Sequence, residues 1–397
     1  MNKTVQVTTS RLILCDPVCV LPYGHNVAAM ANFSEFVGQY FDEVIRIGSR
    51  FLPADIAEEG LIRREFDFYY NDAIPLSVLE DSDEVLERHS DKLRASKEDL
   101  LALLQRHDVS ERDVLCYPSI DYYSLHALAD SLDELKAAGS PTLMLRLIGV
   151  METAASGAYA KPMNVVFALL SRLLASGLQV RLAAETPRYA EHLAEHLGCT
   201  IAVTANIETR AQLPLPEGRQ FTVICPGSAR YDKGFLELHE IFSKVRLQDP
   251  ALRIRFKTQS LPDRDLKHHL DYLQRLYAIP GVDVLPAHIS SAEIDAMYEE
   301  ADLVLLPYAH DVYQFRGSAV LIEAICSGRQ ALAYDGPAFV DQLRYFGAGQ
   351  VCVGATDMAE RIMELSRQSP QQRFTRSRQA RERFVRDLVD SYRNWVM

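Results

Sequence analysis

Apolar runs of strand length alternate with helical patterns along this chain, and the alternation breaks once and then restarts. In the first half the runs fall at 11–20, 43–47, 114–117, 142–150, 178–183 and 200–203, with helical stretches at 27–36, 96–106, 123–138 and 188–197. In the second half, strands at 221–225, 252–256, 282–285, 303–306 and 331–334 alternate with helices at 234–247, 264–277, 291–300 and 318–326. Such an order predicts parallel sheets covered by helices on both faces, because each crossover must carry the chain back along one face of the sheet. The helix at 96–106 is signalled by Ser96 as N-cap, Asp99 three positions on, and the leucines at 100, 101, 103 and 104.

The break is Glu208–Gln220, with two prolines, a glycine and no buried periodicity. At 397 residues the chain exceeds one ordinary core. The fold expected is α/β, two doubly wound Rossmann-like domains: residues 1–207, a linker at 208–220, residues 221–366, and C-terminal helices at 367–397 packing back toward the first domain. Two such domains facing each other would bind ligands in a cleft at the carboxyl ends of their strands.

A formal net charge of −12 argues against a nucleic-acid surface. The seven cysteines, mostly inside apolar runs, fit a reducing cytoplasm, and Cys15 and Cys19 lack the second ligand pair of a zinc site. No metal is expected. The N-terminus has no apolar run of signal-peptide length, and the best apolar window, Met163–Val180, is interrupted by Arg172 and Gly177, so it reads as a buried helix. Between Arg367 and Arg386 stand seven arginines and one glutamate. A solvated helical face explains them, and contact with an anionic membrane surface at the inner face is the sharper alternative.

Two segments carry chemistry. Residues 226–234, PGSARYDKG, follow the apolar strand 221–225 and place Arg230 and Lys233 in a turn with glycines at both ends. Such a turn can aim two cations and free N–H groups at a diphosphate, although taken alone it also fits an ordinary βα connection. The second segment runs from strand 303–306 to a helix opening on Arg316, Gly317 and Ser318, with Gly328 placed to stop it. Glu323 stands six residues past Gly317, a rise of roughly 9 Å, about the span from a β-phosphate to a ribose. Its apolar neighbours Leu321, Ile322, Ala324 and Ile325 mark it as a paired or functional carboxylate.

On GSARYDKGF, AEIDAMYEEADLVLLPY and RGSAVLIEAICSGRQALA, the chain resembles the family 4 glycosyltransferases of the GT-B fold, most strongly over about residues 221–350. The resemblance implies a retaining, metal-independent enzyme with a nucleoside diphosphate sugar as substrate and no cofactor. Its acceptor would be a saccharide or lipid-linked glycan, in cell-surface polysaccharide or glycoconjugate synthesis. It assigns the diphosphate to Arg230 and Lys233 with Gly227 and Ser228 in their turn, the distal phosphate to Gly317 and Ser318, the ribose to Glu323, and the base to the loop holding His288 and Ile289. A glutamate often found eight positions before the ribose carboxylate is Phe315 here, leaving the transferred sugar to backbone or to neighbours such as Gln314, Tyr313 or Asp311, with Phe315 and Arg316 also counted on the donor side. Arg230 stands three positions before Lys233, whereas many members place the arginine five before.

In the N-terminal half the resemblance rests on the layout and on Gly24, His25 and Asn26 after the first strand, which also fit a turn at a helix start. The histidine common in the family is missing from strand 142–150; Arg146 or Glu152 could face the acceptor cleft instead, and a buried salt bridge explains each equally well. His192, His196, His268 and His269 read as solvent-facing. Two rival readings remain: a sugar-nucleotide epimerase that needs no acceptor, and a degenerate sugar-nucleotide-binding subunit.

Overall fold

The computed structural model describes residues 10–20, 26–67, 83–149, 160–214, 220–227, 229–262 and 268–397. The chain divides into two compact units. The first takes residues up to Glu185 with Tyr189–Ile207 and Ser391–Met397; the second takes Thr186–Arg188 and Glu208–Asp390.

The first unit is built on a seven-stranded, all-parallel sheet: β1 (Arg11–Asp16), β2 (Glu43–Ser49), β3 (Ile62–Phe66), β4 (Asp113–Tyr117), β5 (Thr142–Leu147), β6 (Val180–Ala184) and β7 (Ala202–Val203), in the order β3-β2-β1-β4-β5-β6-β7. The second has six strands: β8 (Phe221–Cys225), β9 (Ile254–Gln259), β10 (Val282–Leu285), β11 (Leu303–Leu306), β12 (Gln330–Tyr334) and β13 (Gly349–Cys352), in the order β10-β9-β8-β11-β12-β13. Both sheets turn back at their first strand, giving switch points at β1/β4 and β8/β11. The central strands β8 and β11 are buried at every residue, as strands covered on both faces must be, which is why they read as unbroken apolar runs.

Several expected elements differ. Ser96 caps no helix: the helix spans Asp83–Arg106, and Ser96 is buried inside it. The stretch 123–138 is two helices, Tyr122–Ala129 and Leu132–Ala137, and the first is capped by Asp121, whose carboxylate accepts from the N–H groups of Tyr123 and Ser124. The helix expected from Gly234 opens instead with two 3-10 turns, Tyr231–Lys233 and Phe235–Glu237, and becomes α-helical over Leu238–Gln248. β3 was not expected, because its sequence IRREF buries only its two end residues.

The arginine-rich tail is largely a solvated helical face, with Arg367, Arg376, Arg378, Arg383 and Arg386 exposed and Arg373 and Arg381 turned inward. It lies in the helices Gly354–Arg367 and Pro370–Val396. Arg373 is buried against Asp302 at 2.8 Å and lies 4.8 Å over the Phe221 ring. Arg381 donates to the Cys326 carbonyl, Arg383 stacks 3.9 Å over Tyr345, and Arg378 and Arg386 pair with Glu382 and Asp387. Three of the seven, Arg373, Arg381 and Arg383, therefore tie the helix to the rest of the second unit. In the first unit, the last turn of the chain buries Tyr392 and Trp395 against Phe33, with the Tyr392 hydroxyl donating to the Ala205 carbonyl at 2.8 Å. Among the described residues no helix is long and apolar enough to cross a membrane.

Candidate functional site

The site is built where β8 and β11 end. Beyond Cys225 the chain turns through Gly227 and comes back against the end of β11, where the Ala309 N–H donates to the Asp232 carbonyl at 2.9 Å. Gly234 makes that approach possible: its φ is +73°, and a Cβ on it would lie 2.0 Å from the Pro307 carbonyl oxygen. This contact, not helix propensity, sets where the helical residues can begin.

Lys233 is thereby held half-buried in the turn. Its ammonium lies 5.8 Å from the centre of the Tyr308 ring, and among the described residues it forms no ion pair. Burial, and after it the Arg230 charge, lowers the Lys233 pKa. The Asp232 and Glu323 charges oppose that fall from a distance, and a desolvated cation without a direct ion pair is a receptor for an anion. Gly227 shapes the room beside it: a Cβ there would stand 3.0 Å from the Lys233 Nζ and 3.4 Å from the Val320 Cγ2. The glycine turn and the first turn of the helix Ala319–Cys326 are therefore immediate neighbours, as the two sequence segments required.

Arg230 donates through Nη2 to the Asp232 carboxylate at 2.7 Å and to the Tyr313 hydroxyl at 3.0 Å. Arg316 lies 5.9 Å over the Tyr313 ring, so two guanidiniums flank one buried tyrosine. Burial pushes the Tyr313 hydroxyl up to about 12, against the opposing pull of Arg230. Tyr308, Tyr313 and Phe339 pack with centroids 4.7, 5.4 and 5.8 Å apart, a rigid aromatic base under the cations.

Ser318 is the N-cap of the helix Ala319–Cys326, its hydroxyl accepting from the Leu321 N–H at 3.2 Å. That satisfies one of the helix-end donors internally. Glu323, half-buried, accepts a hydrogen bond from the Tyr298 hydroxyl at 2.8 Å. Burial raises its pKa, opposed by Tyr298 and the Arg210 charge.

Other candidate residues fall elsewhere. Gln314, Phe315 and Gly317 are half-buried in the segment before Ser318. His288 is exposed and Ile289 half-buried in the loop after β10, two strands away from β8. Gln259 at the end of β9 donates to the Ala287 carbonyl of that loop at 3.0 Å. Gly24, His25, Glu152 and Ser228 lie outside the described residues, and Asn26 opens the helix Asn26–Gly38 with its side chain undescribed. Arg146 is a correction: buried in the first unit, its guanidinium donates to Thr204, Asn206, Glu185 and the Pro118 carbonyl, the internal salt-bridge alternative rather than a ligand-facing cation. Of the histidines read as solvent-facing, His196, stacked on Phe167 at 4.2 Å, and His268 are exposed, while His192 and His269 are partly buried.

Three residues in this neighbourhood escaped the sequence reading. Tyr298 sits on an amphipathic helix and reads as core, Tyr308 closes an apolar strand, and Arg210 lies in the proline-bearing break. No spacing rule singles them out. Among the described residues, no group of three or more His, Cys, Asp or Glu side chains could hold a metal ion.

No protein-family model matches the chain, and no curated protein matches it significantly. Solved structures do. Trehalose-6-phosphate synthase OtsA aligns over 97% of this chain and 97% of its own, with a TM-score of 0.68 and 11% identity. HepE from Anabaena, in complex with UDP and glucose, covers 98% of each chain at a TM-score of 0.64 and 14% identity. A glycosyltransferase from Rickettsia africae covers 98% of this chain and 99% of its own at 0.61 and 11%. Likeness at that identity establishes the fold alone: two Rossmann-like domains of the GT-B type.

Proposed function

We propose that this protein is a glycosyltransferase that takes a sugar from a nucleoside diphosphate sugar, with UDP as the first nucleotide to test. The carrying observation is Lys233, a half-buried ammonium with no direct ion pair among the described residues, lodged against Gly227, which itself adjoins the start of the helix that bears Glu323. The UDP bound to HepE, a protein of the same fold, supports the choice of nucleotide. In this reading Lys233 and Arg230 bind the diphosphate, the helix start at Gly317 and Ser318 faces its distal phosphate, and Glu323 takes the ribose hydroxyls.

The two cations would do electrostatically what a divalent ion does in other transferases: they stabilise the charge that develops as the C1–O bond to the β-phosphate breaks. With retention, the acceptor hydroxyl attacks C1 from the face the diphosphate leaves, and its proton passes to the departing phosphate oxygen. A saccharide or lipid-linked glycan is the acceptor class we propose, with a cytoplasmic site of action.

The test is calorimetric and kinetic. Nucleoside diphosphates should raise the melting temperature, because a ligand at 100 times its Kd adds about 2.7 kcal/mol. Lys233→Ala should keep the fold and lose roughly 10²-fold in transfer, about 3 kcal/mol. Full activity in that variant refutes the site. Incubation with sugar nucleotide alone discriminates the rivals, since an epimerase converts it without acceptor and a degenerate subunit binds it unchanged.

A further inference from the structure

Behind Glu323 stands a group of side chains that a bare ribose contact does not require. Tyr298, on the helix Ser291–Glu300, is fully buried, and its hydroxyl donates to Glu323 Oε2 at 2.8 Å. Among the described residues no donor reaches Oε1. The Arg210 guanidinium lies 4.7 Å over the Tyr298 ring, and its Nη2 pairs with Asp295 on the same helix at 3.0 Å. Its Nη1 is buried with no acceptor among the described residues, while its own backbone N–H is held by the Glu208 carboxylate at 2.7 Å. A carboxylate on a helix surface turns freely about its last torsion; one with an oxygen fixed by a buried hydroxyl does not.

We infer that Tyr298, with Arg210 stacked on it, is a positioning residue for the nucleotide's ribose: it claims one oxygen of Glu323 and presents the other to the sugar diol. The inference rests on the nucleotide reading above. The charged and titratable groups that face Glu323 divide by element. Tyr298 comes from the helix Ser291–Glu300, Arg210 and Glu208 from the segment before β8, Lys233 from the glycine turn, and Cys326 from Glu323's own helix. Arg210, Lys233 and the Tyr298 donor favour the ionised carboxylate, while burial and Glu208 oppose it. Tyr298 thus keeps Glu323 both oriented and charged, which is what accepting two hydroxyl protons requires.

Calorimetric titration of the full chain with UDP and with 2′,3′-dideoxy-UDP tests this. ADP and GDP with their dideoxy forms replace them if the native chain prefers those bases. The native chain should favour the ribo form, and Tyr298→Phe should lose roughly tenfold in its affinity while leaving the dideoxy affinity almost unchanged. The acid limb of ribonucleotide binding should also move to higher pH, because the carboxylate has lost a donor that favours its charge. A purely structural role predicts equal loss for both ligands, and that result, or an unchanged ribo preference in folded Tyr298→Phe, overturns the inference alone. Should Tyr298→Phe fail to fold, Arg210→Gln must show the same upward shift of the acid limb, and an unmoved limb refutes it. If the native chain binds no nucleoside diphosphate, the function reading itself falls and takes this inference with it.

Discussion

The two sheets share a strand order up to their last members, yet their switch points carry opposite charge. At β8/β11 the second unit gathers Arg230, Lys233 and Arg316 around buried tyrosines. At β1/β4 the first unit places two buried carboxyls, Asp16 at the end of β1 and Asp121 just past β4. Burial pushes Asp16 up to about 7, and the neighbouring Asp121 charge adds to the rise. Asp121 is likewise raised by burial, although two backbone N–H groups and the Ser124 hydroxyl oppose it. Among the described residues neither carboxyl has an ion-pair partner. On the proposed function, topology sets where a ligand would lie and side-chain charge what it would be: an anion on the second unit, and a neutral or cationic group on the first.

The sharpest way to break this contrast is at Gly234. An alanine there would meet the Pro307 carbonyl at 2.0 Å in a left-handed backbone, and a main-chain oxygen at a strand end cannot step aside. Gly234→Ala should cost about 3 kcal/mol of stability, and the nucleotide-induced rise in melting temperature should disappear with the turn. A variant that melts normally and still responds to UDP would show that the cations do not depend on this close approach.

Asp16→Asn probes the other pole. Because its folded pKa of about 7 lies above the unfolded value of 3.8, the native state binds the proton more tightly, so stability falls as pH rises from about 4 to 7. An asparagine keeps the acceptor for the Val18 N–H, which Asp16 Oδ1 now receives at 3.0 Å, and removes the buried charge. Linkage sets a ceiling of roughly 4 kcal/mol, and a gain of about 2 kcal/mol at pH 8 that vanishes near pH 4 is the expected outcome. Urea unfolding at the two pH values measures it, and equal stability at pH 8 would remove the acidic pole of the comparison.

The framework was legible because its strands are buried on both faces: FTVIC and LVLL cannot be anything else between helices. The edge strand IRREF was not, since exposure on an edge erases the apolar signal. Of the candidate site, the proximity of Lys233, Gly227 and the Glu323 helix was readable, because phosphate-type turns need glycine and a cation at short range. Tyr298 and Arg210 were not, because their meaning comes from contacts across 25 residues, as between Tyr298 and Glu323, and more, which no local spacing encodes. Arg146 was half-readable: a lone arginine in a buried strand must be paired, but the sequence could not choose between ligand and strut.

The smallest effect tests how the cations divide their work. Arg230 is about half exposed, with 46% of its side-chain surface open, and it already answers to Asp232 and Tyr313, whereas Lys233, among the described residues, makes no direct ion pair and feels the Asp232 and Glu323 charges only from a distance. A solvated, paired guanidinium gains little when an anion arrives, since it exchanges one partner for another. Arg230→Gln should therefore weaken nucleoside diphosphate binding by about 1 kcal/mol, roughly fivefold, and the loss should shrink as ionic strength rises. A loss as large as that of Lys233→Ala, undiminished by salt, would mean that Arg230 abandons Asp232 and turns wholly onto the ligand. The two cations would then act as one unit, and the burial difference between them would carry no functional weight.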